Sequence, residues 1–265
     1  MGIVINSVAD CFSFARKYPS AFVLYLIQAM ISLIFELALL GLLGLGFTGT
    51  PSIPRTLDIA SFFLVLIIFI IVELISLSLI YGATPILIRQ GSEQRKISIS
   101  SAVKAAWKNL LRIIGLEFIL GVIAFAIALV MIIPIVMLSV SFFYGGIVLF
   151  IIGAVVFVGA LVALIYVMSR LSLSMTLLMI ANKRVGESID SSWKLMDGKV
   201  LRFFAANLLM LIALIPLELL YILPQFLFPT DFIIISLTSL IYSTIAGLLL
   251  GIFPTVFYYN LKGSK

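Results

Sequence analysis

Long apolar runs without charge alternate along this chain with short stretches of mixed polarity. A run of about 18 or more apolar residues is enough to cross a bilayer core. Six such runs are present, at Ser20–Phe47, Ile59–Ile88, Ile113–Val140, Ile147–Ala181, Phe203–Leu223 and Phe232–Leu261. The pattern predicts an all-α integral membrane protein with six transmembrane helices, a single membrane domain over residues 1–265. The first run is longer than a signal-peptide core and no small-residue cleavage pattern follows it, so it is expected to stay as a span.

The mixed-polarity stretches share a pattern of their own. Apolar residues at i, i+4, i+7, i+8 and i+11 give Val4, Val8, Cys11, Phe12 and Ala15; Ile99, Val103, Ala106, Trp107 and Leu110; and Val185, Ile189, Ser192, Trp193 and Met196, where Ser192 is the weak member. Polar residues fill the gaps. Each copy predicts an amphipathic helix of about three turns. An outgoing and a returning span follow each one. The returning spans end alike, with Thr84, Thr176 and Thr255 aligned ahead of a polar or basic exit. The expected architecture is therefore three hairpin repeats, at about residues 1–90, 91–182 and 183–265, each opened by an interfacial helix. Units in one orientation imply a pseudo-axis along the membrane normal. Phe12, Trp107 and Trp193 are the expected interfacial anchors.

Charge then sets the orientation. Every Lys and Arg except Arg55 and Arg170 falls before span 1, between spans 2 and 3, between spans 4 and 5, or after span 6. The positive-inside rule puts both termini in the cytoplasm of a multi-pass cell-membrane protein. The outer connections, Thr48–Asp58, Ser141–Gly146 and Pro224–Asp231, are short and nearly uncharged. The net charge of +6 follows from this topology. Its natural partners are anionic inner-leaflet headgroups of the lipid bilayer and a cytoplasmic or membrane protein. No nucleic-acid partner is expected.

Composition narrows the chemistry. The mean hydropathy is +1.32 and only 11% of residues are charged. There is no histidine and one cysteine, Cys11, so an intrachain disulfide is impossible and no metal site or cofactor is expected. No nucleophile–base pair or phosphate loop is present, so no catalytic residue is assigned and the chain is not expected to be an enzyme.

Four charges inside spans are the candidates for function, because such residues are costly in lipid. Glu36 and Glu218 lie at matching places in the first and third repeats, toward the outer half of their spans; Glu73 lies midway along span 2, and Arg170 lies among hydroxyl residues in span 4. Two readings fit them. They form part of a substrate or proton path, with Arg170 pairing with Glu73 or attracting an anion. Alternatively they are interhelical pairs and snorkelling side chains. Gly247 and Gly251 form a Gly-x-x-x-Gly step suited to close helix packing.

Three two-span repeats also occur in mitochondrial carriers, but those place the amphipathic helix inside each pair of spans, and their proline–acid–base signature is absent here. The phrase "VGESIDSSWKLMDGKVLRFF", with Ser188, Ser192 and Trp193 opening an apolar hairpin, resembles prokaryotic six-span membrane proteins of unknown function. These are the YciC-like group and the membrane domain fused to some glycerophosphodiester phosphodiesterases. The resemblance implies a membrane domain without catalytic residues of its own. The reading is a membrane scaffold or a subunit of a larger membrane assembly. The alternative is a transporter or channel for a lipid-like or other small substrate.

Overall fold

In lipid each backbone N–H and C=O must be satisfied within its own segment, so uninterrupted apolar runs fold as helices. The computed structural model describes residues 2–42, 59–93, 96–144, 146–228 and 231–263, and every regular element among them is a helix. Six helices are long and apolar enough to span a membrane. They are carried by α2 (Ala21–Leu42), α3 (Ile59–Ser92), α5 (Leu110–Tyr144), α6 (Ile147–Leu171) with its continuation α7 (Ser174–Ile180), α9 (Val200–Leu227) and α10 (Phe232–Gly263). This is a multi-pass membrane protein. Three shorter helices, α1 (Gly2–Lys17), α4 (Ile99–Lys108) and α8 (Val185–Leu195), occupy the mixed-polarity stretches.

The expected span limits need three corrections. Span 4 is not one helix. After Arg170 the ladder breaks at Ser172 and Leu173, where the Ser172 hydroxyl turns back to the Ser169 carbonyl at 2.8 Å and the Leu173 N–H bonds instead to Ser192 Oγ at 3.2 Å. Serine competing for backbone partners is a known cause of such breaks. The connection expected at Pro224–Asp231 is shorter, because α9 continues through both Pro216 and Pro224 to Leu227. Asp231 Oδ1 then accepts the Ile234 N–H at 3.1 Å and caps α10. Similarly, α5 runs on to Tyr144, leaving little of the Ser141–Gly146 connection. The Thr48–Asp58 connection with Arg55, and the end of span 1 beyond Leu42, lie outside the described residues.

The helices divide into two compact units, one of Met1–Leu110 with Ala206–Lys265 and one of Leu111–Ala205. In the first, α2 packs on α10 and α3, α1 packs on α10, and α4 packs on α3. Its core is Leu24, Tyr25, Leu87, Met210, Leu248, Phe253 and Phe257, all nearly inaccessible. In the second, α8 packs on α7 and the end of α6, around Leu171, Leu173, Leu178 and Met196. Most other large apolar side chains on the spans face outward, as lipid-facing surfaces do.

Candidate functional site

The geometry of the candidate residues falls into three parts. The first is a polar group inside the first unit. Gln28 and Ser32 sit one turn apart on α2 and so share a face. Glu73 Oε1 accepts from Gln28 Nε2 at 2.7 Å and from Ser32 Oγ at 2.9 Å. Bonds of this kind, to a charged group, contribute about 1.5–3 kcal/mol each. The other atoms of the group are not satisfied: Glu73 Oε2 and Gln28 Oε1 are buried without hydrogen-bond partners. Since a carboxylate only accepts, the Gln28 amide nitrogen must face it, which fixes Oε1 on the opposite side. Next to this group a cavity of about 280 Å³ opens between α2, α3 and α10, with Tyr25, Gln28, Ser32, Tyr81 and Ser243 among its lining residues.

Tyr25 is also how α10 comes close. A methyl group at Gly251 would collide with the Tyr25 hydroxyl, and one at Gly247 would press on its ring at 3.2 Å. The Gly-x-x-x-Gly step therefore receives an aromatic ring from α2. The Tyr25 hydroxyl is 2.7 Å from Thr84 Oγ1.

The second part is the Arg170 clamp in the other unit. The guanidinium donates to the Trp193 carbonyl at 3.0 Å, to the Tyr166 hydroxyl at 2.6 Å and to Asp197 Oδ1 at 2.8 Å. It also lies 5.0 Å from the centres of both the Tyr166 and Trp193 rings. Those rings meet edge to face at 6.3 Å. Ser192 completes the joint, donating to the Arg170 carbonyl at 2.7 Å. Within its own unit Arg170 has Asp197 as an ion-pair partner, and within the other Gln28 and Ser32 hold Glu73. Asp197 reaches its place because Gly198 adopts the left-handed conformation, φ 66°, which a glycine enters without cost.

The remaining acids differ from each other. Glu36 is exposed on α2. Glu218 is half-buried on α9 and accepts from the Tyr242 hydroxyl of α10, whose ring stacks on Tyr221 with centres 4.9 Å apart.

The third part is the set of short helices. Each buries two small residues one turn apart, completely: Ser7 and Cys11 on α1, Ala102 and Ala106 on α4, Ser188 and Ser192 on α8. The residue after the second stays exposed, with Phe12 at 40%, Trp107 at 60% and Trp193 at 38%. Each helix is tied to the span it packs on. Asn260 of α10 donates to Ser7 Oγ and Asp10 Oδ2 at 3.2 and 3.0 Å. Gln90 of α3 accepts the Ser98 N–H and donates to Ser101 Oγ, both at 2.9 Å. Ser192 bridges Arg170 and Leu173. Thr84, Thr176 and Thr255 on the returning helices are also all buried.

Sequence reasoning missed Gln28 and Ser32, since only charged residues in spans were weighed. It also missed Ser7 and Ala102, which lie three residues after the start of their patterns, and took Ser188 at the same place only as part of a resemblance. No protein-family model, curated protein or solved structure matches this chain.

Proposed function

We propose that the chain is a cell-membrane protein with both termini in the cytoplasm, built from three copies of one hairpin unit, and that it serves as a non-enzymatic scaffold or subunit of a larger membrane assembly. One observation carries this reading. Each short helix buries a small-x-x-x-small face against a returning span and leaves the next residue, an aromatic, exposed. In repeat order, α4 lies on the returning span of the first unit, α8 on that of the second, and α1 on that of the third. Three matched joints of this kind favour triplication over a chance rhythm of hairpins. They also favour α1, α4 and α8 as fixed interfacial platforms, whose exposed lysines and aromatics suit headgroups and a docked protein. The likeness of the Ser188–Ser192–Trp193 phrase to the YciC-like group agrees with a membrane domain that lacks catalysis.

The test is purification of the tagged full chain from its own membranes after mild crosslinking. A stoichiometric protein partner is expected. Lys104→Glu with Trp107→Ala on α4 should release it while the chain stays folded. Recovery of the chain alone, with no effect of these substitutions, would overturn the scaffold reading.

A second reading, a transporter or channel for a lipid-like or other small substrate, is favoured by the polar-lined cavity between α2, α3 and α10. Against it, Arg170 and Glu218 have partners and Glu36 is exposed, so among the four candidate charges only Glu73, with one oxygen unpartnered, stands near that cavity.

A further inference from the structure

The polar lining of the cavity between α2, α3 and α10 is weighted toward hydrogen-bond acceptors. The Thr84 hydroxyl donates to the Ile80 carbonyl at 2.7 Å. In the Tyr25–Thr84 pair the tyrosine must therefore donate. The Ser32 hydroxyl hydrogen goes to Glu73, and that of Ser243 to the Ser239 carbonyl at 2.7 Å. Each of these three hydroxyls has committed its only hydrogen and keeps lone pairs alone. Gln28, which is 9% exposed, adds a carbonyl oxygen that is buried and without a partner. Behind Gln28 and Ser32 stands the Glu73 carboxylate, with Oε2 equally without a partner. Apart from the second hydrogen of the Gln28 amide and the Tyr81 hydroxyl, this polar group offers acceptors and negative charge. Buried acceptors left unmatched are costly, so the occupant that fits brings donors and positive charge.

Size and the remaining walls narrow the choice. At about 280 Å³ the cavity is far larger than a dehydrated metal ion requires, a water's share of liquid volume being about 30 Å³. Leu77, Ile80 and Leu250 make one side of it apolar, and the Tyr25 and Tyr81 rings also line it. Aromatic faces attract organic ammonium groups.

We propose that this cavity is a binding site for a small organic cation, an alkylammonium head on a short apolar body, with Glu73 as its counter-charge acting beside Gln28 and Ser32. The inference stands whether the chain is a scaffold or a carrier.

The test uses the full chain in phosphatidylcholine nanodiscs, with empty nanodiscs as the blank. Butylammonium chloride is titrated by calorimetry, with butan-1-ol as the neutral match and sodium and potassium chloride as the inorganic arm. Saturable binding of butylammonium is expected, with none of butanol. Glu73→Gln keeps an oxygen for Gln28 and Ser32 but removes the charge, and should weaken binding at least tenfold. Leu250→Trp fills the cavity from its apolar side, leaves the polar bonds intact, and should abolish binding with the unfolding temperature retained. Equal binding of butanol would overturn the proposal. So would wild-type affinity in both folded variants, or saturation by sodium or potassium that butylammonium cannot displace.

Discussion

Glu73 and Arg170 are two charges in apolar spans, and their surroundings treat them differently. Arg170 is enclosed by groups that occupy both its terminal nitrogens: a carbonyl, a phenol and a carboxylate accept from them, and two rings lie beside it, while its Nε is buried without a partner. Glu73 is only half used, with one oxygen doubly bonded by donors and the other left alone. A charge with an ion-pair partner and no cavity beside it is a fastener. A half-saturated one next to a cavity keeps interaction energy in reserve for something else. The two are separated by sequence, by unit and by partner set, so they are independent experiments.

The largest expected effect breaks the fastener. Arg170→Leu removes three hydrogen bonds and two ring contacts, and should cost about 3 kcal/mol, read as resistance to denaturant in nanodiscs. Glu73→Leu strands the Gln28 and Ser32 donors and should cost about 1–3 kcal/mol. Because the partner sets do not overlap, the double variant should show the sum of the two. Rescue of either by the other would show that the two charges are coupled after all.

Next in size is the ring slot beside the Glu73 group. Gly251→Ala forces Tyr25 out of place and should cost about 1–3 kcal/mol. The penalty should shrink in a Tyr25→Ala background, since the clash is with that side chain. An unchanged penalty would mean that the glycine serves the helix backbone. On the Arg170 side, Gly198→Ala strains the turn that presents Asp197 and should cost about 1–2 kcal/mol. Gly198→Asn should recover part of it, as asparagine tolerates the left-handed region.

The smallest effect is chemical. Burial pushes the Cys11 thiol well above its ordinary value, and the neighbouring Asp10 charge pushes the same way. The folded chain therefore favours the neutral thiol. That contribution is complete below the ordinary thiol pKa of about 8.5 and declines as pH rises further, where the unfolded chain can ionise and the folded one cannot. A maleimide at pH 8 should leave the native protein unmodified and label it fully once unfolded. Rapid native labelling would place Cys11 at an accessible surface.

How much of this was legible follows from the physics of each signal. Span positions depend on run length, which the bilayer thickness fixes, so α3, α6 and α10 begin where the apolar runs begin. The break at Ser172 and Leu173 was not legible, because its cause is Ser192, a residue from a different helix. Within the short helices, the expected pattern found the registers and much of the buried face, since its members Val8, Cys11, Ala15, Ala106, Ser192 and Met196 are all buried. Phe12, Trp107 and Trp193, expected as interfacial anchors, are exposed on the protein. The buried contact is made by Ser7, Ala102 and Ser188 with their partners one turn on, because small residues let helices approach closely whatever their polarity. The Glu73 group was half visible. A carboxylate in a span stands out, but Gln28 and Ser32 are neutral, and only the packing of α2 on α3 brings them to it.

The joint between α1 and α10 has a consequence for biogenesis. Ser7 and Asn260 are 253 residues apart in sequence. A ribosome must deliver those 253 residues before α1 meets its seat. Until then its small face, Ser7 and Cys11, has no span to lie on, and such long-range closure is slow and exposed to misassembly. Although α1 precedes the other described helices in the chain, it is locked only after α10 is made, and its docking would report that the membrane insertion of α10 is complete.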